Sequence, residues 1–197
     1  MIVAMNRFYL HDPWAERLRR RFLGLEPSDH AHAPPAGLLR SCMLVPRCGD
    51  LPHVSVALWE DMAALRRWVQ SDAFKRSHSP QSPNRLPPEA FSRRRELELY
   101  TTSAPLPELN AGVVSLCRVR PQGAQPPRSA SERGLPLTPM GAGQPWVLLD
   151  VWRDLSWALA AAEHYEGAVG ETGEVRLEVY PQVLVKPAAP YASASEA

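Results

Sequence analysis

The feature that most constrains this chain is that it repeats part of itself. Leu97-Glu-Leu-Tyr100 is echoed by Leu177-Glu-Val-Tyr180, and Pro52-His-Val54 through Trp59-Glu-Asp61 by Pro145-Trp-Val147 through Trp152-Arg-Asp154. The spacing of Gly37, Cys42 and Pro46 returns in Gly112, Cys117 and Pro121. Three matches in one order read as a unit followed by a diverged copy. In this alignment the copy lacks the unit's opening strand and helix.

Periodicity makes the unit itself legible. Residues 2–10 alternate, with Ile2, Ala4, Asn6, Phe8 and Leu10 on one face and Val3, Met5, Arg7 and Tyr9 on the other, which predicts a strand. Asp12 reads as a helix N-cap with Pro13 at the first helical position, and Trp14, Leu18, Phe22 and Leu25 form a helical stripe. Residues 37–46 and 53–59 predict a hairpin across the turn-prone stretch Cys48-Gly-Asp-Leu-Pro52. Met62, Leu65, Trp68 and Val69 recur at helical spacing. Ser71-Asp72 then caps a fresh short helix that ends at His78, because the residue before Pro80 is pushed out of helical geometry. Residues 95–101 alternate as a fourth strand.

The resulting order, βαββαβ, is the split-βαβ unit. The expected fold is therefore α+β, a ferredoxin-like dimeric α/β-barrel made of a complete unit over residues 1–103 and a degenerate copy over residues 104–186. The copy carries a Pro-, Gly- and Ser-rich stretch at 122–144 expected to be a flexible loop, and residues 187–197 read as a disordered tail.

Composition narrows the function classes. A net charge of +1 provides no one-signed field for nucleic acid. Three cysteines without a CxxC pair fit neither a disulfide scaffold nor a zinc site and point to a reducing, cytoplasmic setting. The apolar start is interrupted by Asn6 and Arg7, too early for a signal peptide or a membrane span. There is no glycine-rich phosphate loop, GxSxG elbow or HExxH pair. His30 and His32, beside Asp29 in a polar loop, read as solvated residues.

Three residues exceed what a core needs. Asn6 is an amide amid the apolar positions of its strand face, where burial is costly without a hydrogen-bond partner. Trp68 is an aromatic on the amphipathic helix, and His78 stands at a helix end, where imidazole serves either as a cap or as a metal ligand. Along an unbroken helix, ten residues would carry His78 about 15 Å beyond Trp68, the scale of a haem macrocycle.

The segment Trp59-Glu-Asp-Met-Ala-Ala-Leu-Arg-Arg-Trp68-Val-Gln-Ser-Asp-Ala-Phe74-Lys-Arg-Ser-His78 is similar to the helix of the antibiotic biosynthesis monooxygenase superfamily, and Val3-Ala-Met-Asn6-Arg-Phe8 resembles its first strand. Asn6, Trp68 and His78 fall where the bacterial haem-degrading monooxygenases of the iron-acquisition type carry an Asn, a Trp and a His. The resemblance implies His78 as axial ligand of haem iron, Asn6 as a hydrogen-bond donor on the distal side, and Trp68 pressing on the macrocycle. Haem would be substrate and cofactor together, opened with O2 and electrons from an external donor. The same fold also supports cofactor-free oxygenation of aromatic polyketides or quinols, and a haem-binding protein without turnover.

Aligning Asp154 with Asp61 places Ala161 and Glu171 at the positions of Trp68 and His78, and leaves no counterpart of Asn6. The copy is therefore expected to be catalytically empty and to supply the partner sheet. That gives a pseudo-dimeric monomer with one haem site, or a homodimer of such chains.

Overall fold

Strand β1 (Ile2–Phe8) is central because both of its faces are apolar over most of its length. A computed structural model describes residues 1–25, 34–82, 85–109, 112–121, 134–169 and 173–185. After β1 come α1 (Trp14–Phe22), β2 (Leu38–Val45), β3 (His53–Trp59), α2 (Met62–Gln70), α3 (Asp72–His78) and β4 (Glu96–Thr101). The second half contributes β5 (Val113–Pro121), β6 (Leu135–Pro139), β7 (Trp146–Trp152), α4 (Leu155–Val169), β8 (Gly173–Tyr180) and β9 (Gln182–Val185). Among the described residues, no helix is long and apolar enough to cross a membrane.

The strands form one antiparallel sheet in the order β8-β5-β7-β6-β4-β1-β3-β2-β9. Its first and last members are consecutive in the chain, with only Pro181 between them, so the sheet curls into an almost closed barrel. The interior is shared by both halves. Val3 and Met5 pack with Val54, Val56, Leu116 and Leu149, all fully buried, and each such side chain contributes about 1.5–3 kcal/mol.

The two halves have the same order and the same register. Ile2 lies opposite Trp59 in the β1–β3 pair, and Val113 opposite Trp152 in the β5–β7 pair. Val3 lies opposite Tyr100, and Val114 opposite Tyr180. Strand β5 therefore occupies the place of β1, which corrects the expectation that the second half lacks an opening strand. The Gly–Cys–Pro spacing aligns β5 with β2, but glycines before and prolines after a strand mark its ends, not its neighbours. Pairing identifies its place. Cys117 consequently stands where Asn6 stands in the first half.

Residues 135–139, expected within a flexible loop, form β6, with Leu135 and Leu137 buried and Pro136 exposed between them. Proline costs a strand one amide donor, which this strand tolerates because β6 joins β4 through only two residue pairs. Residues 122–133 of that stretch, the tail, and the loop with His30 and His32 lie outside the described residues.

At the other helix, Asp12 does not cap α1. The Asp12–Pro13 bond is cis, and the Trp14 amide donates to the His11 carbonyl instead. The stripe is only partly covered, with Trp14, Leu18 and Phe22 half-buried and Leu25 exposed, while the buried residue of α1 is Ala15, outside the stripe.

Charged groups tie the halves together inside the barrel. Arg7 Nη2 donates to Glu178 at 2.5 Å, and Arg118 donates twice to Glu98 at 2.6 and 2.7 Å. Tyr100 and Tyr180 hydroxyls donate to Glu98 and Glu178 at 3.2 and 3.0 Å. Burial opposes the charge on Glu98, but the Arg118 hydrogen bonds outweigh it and hold the carboxyl below its ordinary range. These are the Glu and Tyr of the repeated tetrapeptide.

Candidate functional site

The outer face of the first-half sheet is the one that carries Asn6. One end of this face is closed by α2: Ile2, Ala4 and Trp59 are buried with Ala64, and Trp68 packs against that cluster. Towards the other end, His53 lies opposite Phe8 in register, close enough to Arg19 of α1 to feel its charge. Between the two ends, Asn6 lies opposite Ser55 and Leu97. Here the face is open, since Asn6 and Ser55 are half-buried and Leu97 is 59% exposed. Asn6 is therefore not the buried amide expected from alternation. The fully buried face of β1 is the opposite one, carrying Val3, Met5 and Arg7.

Trp68 and His78 are connected by a residue the sequence reading passed over. Helix α2 stops at Ser71, whose extended backbone starts α3. Its hydroxyl donates to the Trp68 carbonyl at 2.7 Å and accepts the Phe74 amide at 3.1 Å, fixing the elbow. Phe74 then meets Trp68 edge-on, with ring centroids 5.8 Å apart, and stacks on His78 at 3.9 Å. Linked through Phe74 by these two contacts, the rings of Trp68 and His78 are closer together than the about 15 Å of an unbroken helix. His78 Nδ1 is 2.9 Å from the Phe74 carbonyl and 2.9 Å from Ser77 Oγ. Donation from Nδ1 to that carbonyl leaves the lone pair on Nε2, the arrangement a ligating imidazole uses. His78 is exposed.

Two further groups belong to this face. Trp59 Nε1 and His53 Nε2 are buried without a hydrogen-bond partner among the described residues. Such atoms are rare in native interiors and require an explanation. In the second half, Trp152 at the position of Trp59 donates to Ser115 Oγ at 2.8 Å. Ala4 stands where Ser115 stands, so the first half lacks that acceptor. The sequence signal was the Ala4/Ser115 difference, visible only once β5 is aligned with β1.

The second-half face is filled. Cys117, Val119, Leu148, Ala161 and Tyr165 form a buried cluster, and the Tyr165 hydroxyl donates to buried Asp150. Burial pushes the Cys117 thiol up to about 12, with Asp150 adding to the effect, so it is inert as a nucleophile. Ala161 lies where Trp68 lies, as expected, and Glu171 falls outside the described residues.

Burial, reinforced by Arg19 and opposed by Asp12, pushes the His53 imidazole down from 6.5 to about 4. It is neutral in the fold, an acceptor or donor and not a cation. Between pH 6.5 and 4 the unfolded chain binds a proton that the folded chain does not. Stability should therefore fall as pH falls through that window, by up to about 3 kcal/mol, and be unaffected by this group above it. Urea unfolding of wild type and His53→Gln, above and within the window, should show the variant losing less. An identical acid loss in both would exclude His53 as the cause.

Residues 1–79, out of 197, match the antibiotic biosynthesis monooxygenase family. No curated protein matches the chain. Among solved structures, the fold is similar to that of a protein from Lactobacillus acidophilus NCFM described as a candidate monooxygenase, with TM-score 0.52 and 10% identity over 94% of this chain and 96% of that one. It is also similar to an anthrone oxidase-like protein, with TM-score 0.53 and 12% identity over 99% and 96%. At these identities the likeness is one of fold.

Proposed function

We propose that the antibiotic biosynthesis monooxygenase domain at residues 1–79 is the working part of an oxygenase, whose open sheet face receives a flat conjugated substrate, haem foremost. The observation that carries this reading is the contrast between two faces of equal register. One is packed shut, and the other is open and flanked by His53 Nε2 and Trp59 Nε1, both buried without partners. In this reading residues 1–103 are the complete unit and 104–186 its degenerate copy, a pseudo-dimer within one cytoplasmic chain.

The groups present fit haem in their chemistry. His78 would hold the iron through Nε2, since Nδ1 is engaged by the Phe74 carbonyl. Trp68 and Phe74 would supply an apolar wall against the ring, and the Asn6 amide a donor from the sheet side. Haem, when bound, would supply the iron for O2 chemistry and would itself be the ring substrate, with electrons from an external donor. The chain's own part is to orient the ring, exclude water and place the Asn6 N–H.

A second reading, cofactor-free oxygenation of an aromatic polyketide or quinol, is favoured by His53. A neutral imidazole with an unpartnered Nε2 can accept a hydrogen bond from a phenolic hydroxyl and orient it on the same face. The fold it would use is that of the anthrone oxidase-like neighbour.

The test is a haem titration followed optically, for wild type and His78→Ala, before and after adding reductant under air. A saturable one-to-one complex is expected, weakened about tenfold or more by His78→Ala, with a Soret band lost only when reductant and O2 are both present. Saturable binding without bleaching would indicate a haem-binding protein without turnover. No saturable binding would remove haem and leave the aromatic substrate.

A further inference from the structure

At one mouth of the barrel, where the two halves meet, lies a space of about 150 Å³. Four guanidinium groups face it, those of Arg7, Arg118, Arg120 and Arg176, together with the carboxylates of Glu96 and Glu174. It has room for several waters or one small polyatomic ion.

Arg7 makes this more than a polar crevice. Its side chain is 1% exposed, and its Nη1 has no hydrogen-bond partner among the described residues. Nε lies 3.4 Å from Glu96 but outside hydrogen-bond geometry. Glu178 takes only Nη2. A buried guanidinium with donors unmet is expensive, and Glu178, the carboxylate nearest to it, is shared with Tyr180 and with Arg176 at 3.4 Å. Glu98 accepts from Arg118 and Tyr100, Glu178 from Arg7 and Tyr180, and Glu174 from Arg120. What remains unmet in this lining, among the described residues, is Nε and Nη1 of Arg7.

We propose that this space binds a small oxyanion, with the chemistry of inorganic phosphate or a short carboxylate, between Arg7 in its floor and Arg120 and Arg176 at its rim. The oxyanion supplies the missing acceptors for Arg7 and joins β1 of the first half to β5 and β8 of the second. This site is on the interior side of the sheet, opposite the face that carries Asn6, and its occupation is independent of the oxygenase reading.

The experiment is calorimetric titration of the whole chain with inorganic phosphate, and separately with succinate, each against chloride at matched ionic strength. The expected result is saturable binding of one anion per chain, which distinguishes the two sources by which of them binds tighter. The double variant Arg120→Gln/Arg176→Gln should weaken binding at least about tenfold. Both residues are largely solvent-facing, at 62% and 48% exposure, so the fold should survive. Arg7→Lys, checked for folding by circular dichroism, should weaken it likewise. Absence of saturable heat with both anions would overturn the proposal and assign the Arg7 donors to water. Binding unchanged in the double variant would overturn it equally, and does not depend on Arg7→Lys folding.

Discussion

Glu178→Ala is expected to lower the stability of the chain by about 3–5 kcal/mol, read as a shift of the urea midpoint at unchanged slope. The effect comes from what is left behind. Arg7, 1% exposed, loses the carboxylate 2.5 Å from its Nη2, and Tyr180 loses its acceptor. Breaking one side of a buried ion pair leaves a charge without solvent or counter-ion, whereas replacing both sides with apolar groups of similar shape is often nearly neutral. Arg7→Met/Glu178→Leu should accordingly recover most of the loss. A loss below about 1 kcal/mol for Glu178→Ala, the range of exposed pairs, would mean that water already reaches Arg7.

Gly112→Ala should be of similar severity, about 3 kcal/mol or more, for a different reason. A Cβ at this position would stand 2.0 Å from the Trp152 carbonyl oxygen and 3.1 Å from its carbon. Both atoms are backbone, at the point where Val113 lies opposite Trp152, so relief requires displacing β5 against β7. Ordinary overpacking costs about 1–3 kcal/mol because side chains can yield; here none can. Gly49→Ala is the matched control, since no atom of the described residues lies within 4 Å of a Cβ there. Equal thermal midpoints for the two variants would contradict the account.

Much of the first half was legible because its elements agree with their local periodicity. Residues 53–59 were read as a strand and form β3 over those residues, and the cap at Ser71 is made by the side chain that suggested it. The second half was harder for a physical reason. Leu135-Pro-Leu-Thr-Pro139 carries two prolines, the strongest local signal against a strand, and becomes one only because neighbouring strands offer short pairing on either side. Which face of β1 is the interior was likewise undetermined by alternation, since both faces are apolar, and the charged Arg7 lies on the more deeply buried one.

The candidate site was half legible. Asn6, Trp68 and His78 were singled out as side chains in excess of packing. Phe74 stood out only as part of the segment from Trp59 to His78, and His53 only as the first residue of a strand. Their importance depends on partners: a stack with His78 in one case, a missing acceptor in the other.

The closure of the sheet within one polypeptide, through β4 with β6 and β2 with β9, carries a last consequence. Where a barrel is assembled from two molecules, dilution opens it, and any change to one wall is forced on the other by the shared gene. Here both seams are intramolecular, so the melting temperature of the closed sheet should not depend on protein concentration. The two walls are also free to evolve apart. One could fill with Tyr165 and Cys117 and serve as scaffold, while the other kept its vacancy around Asn6.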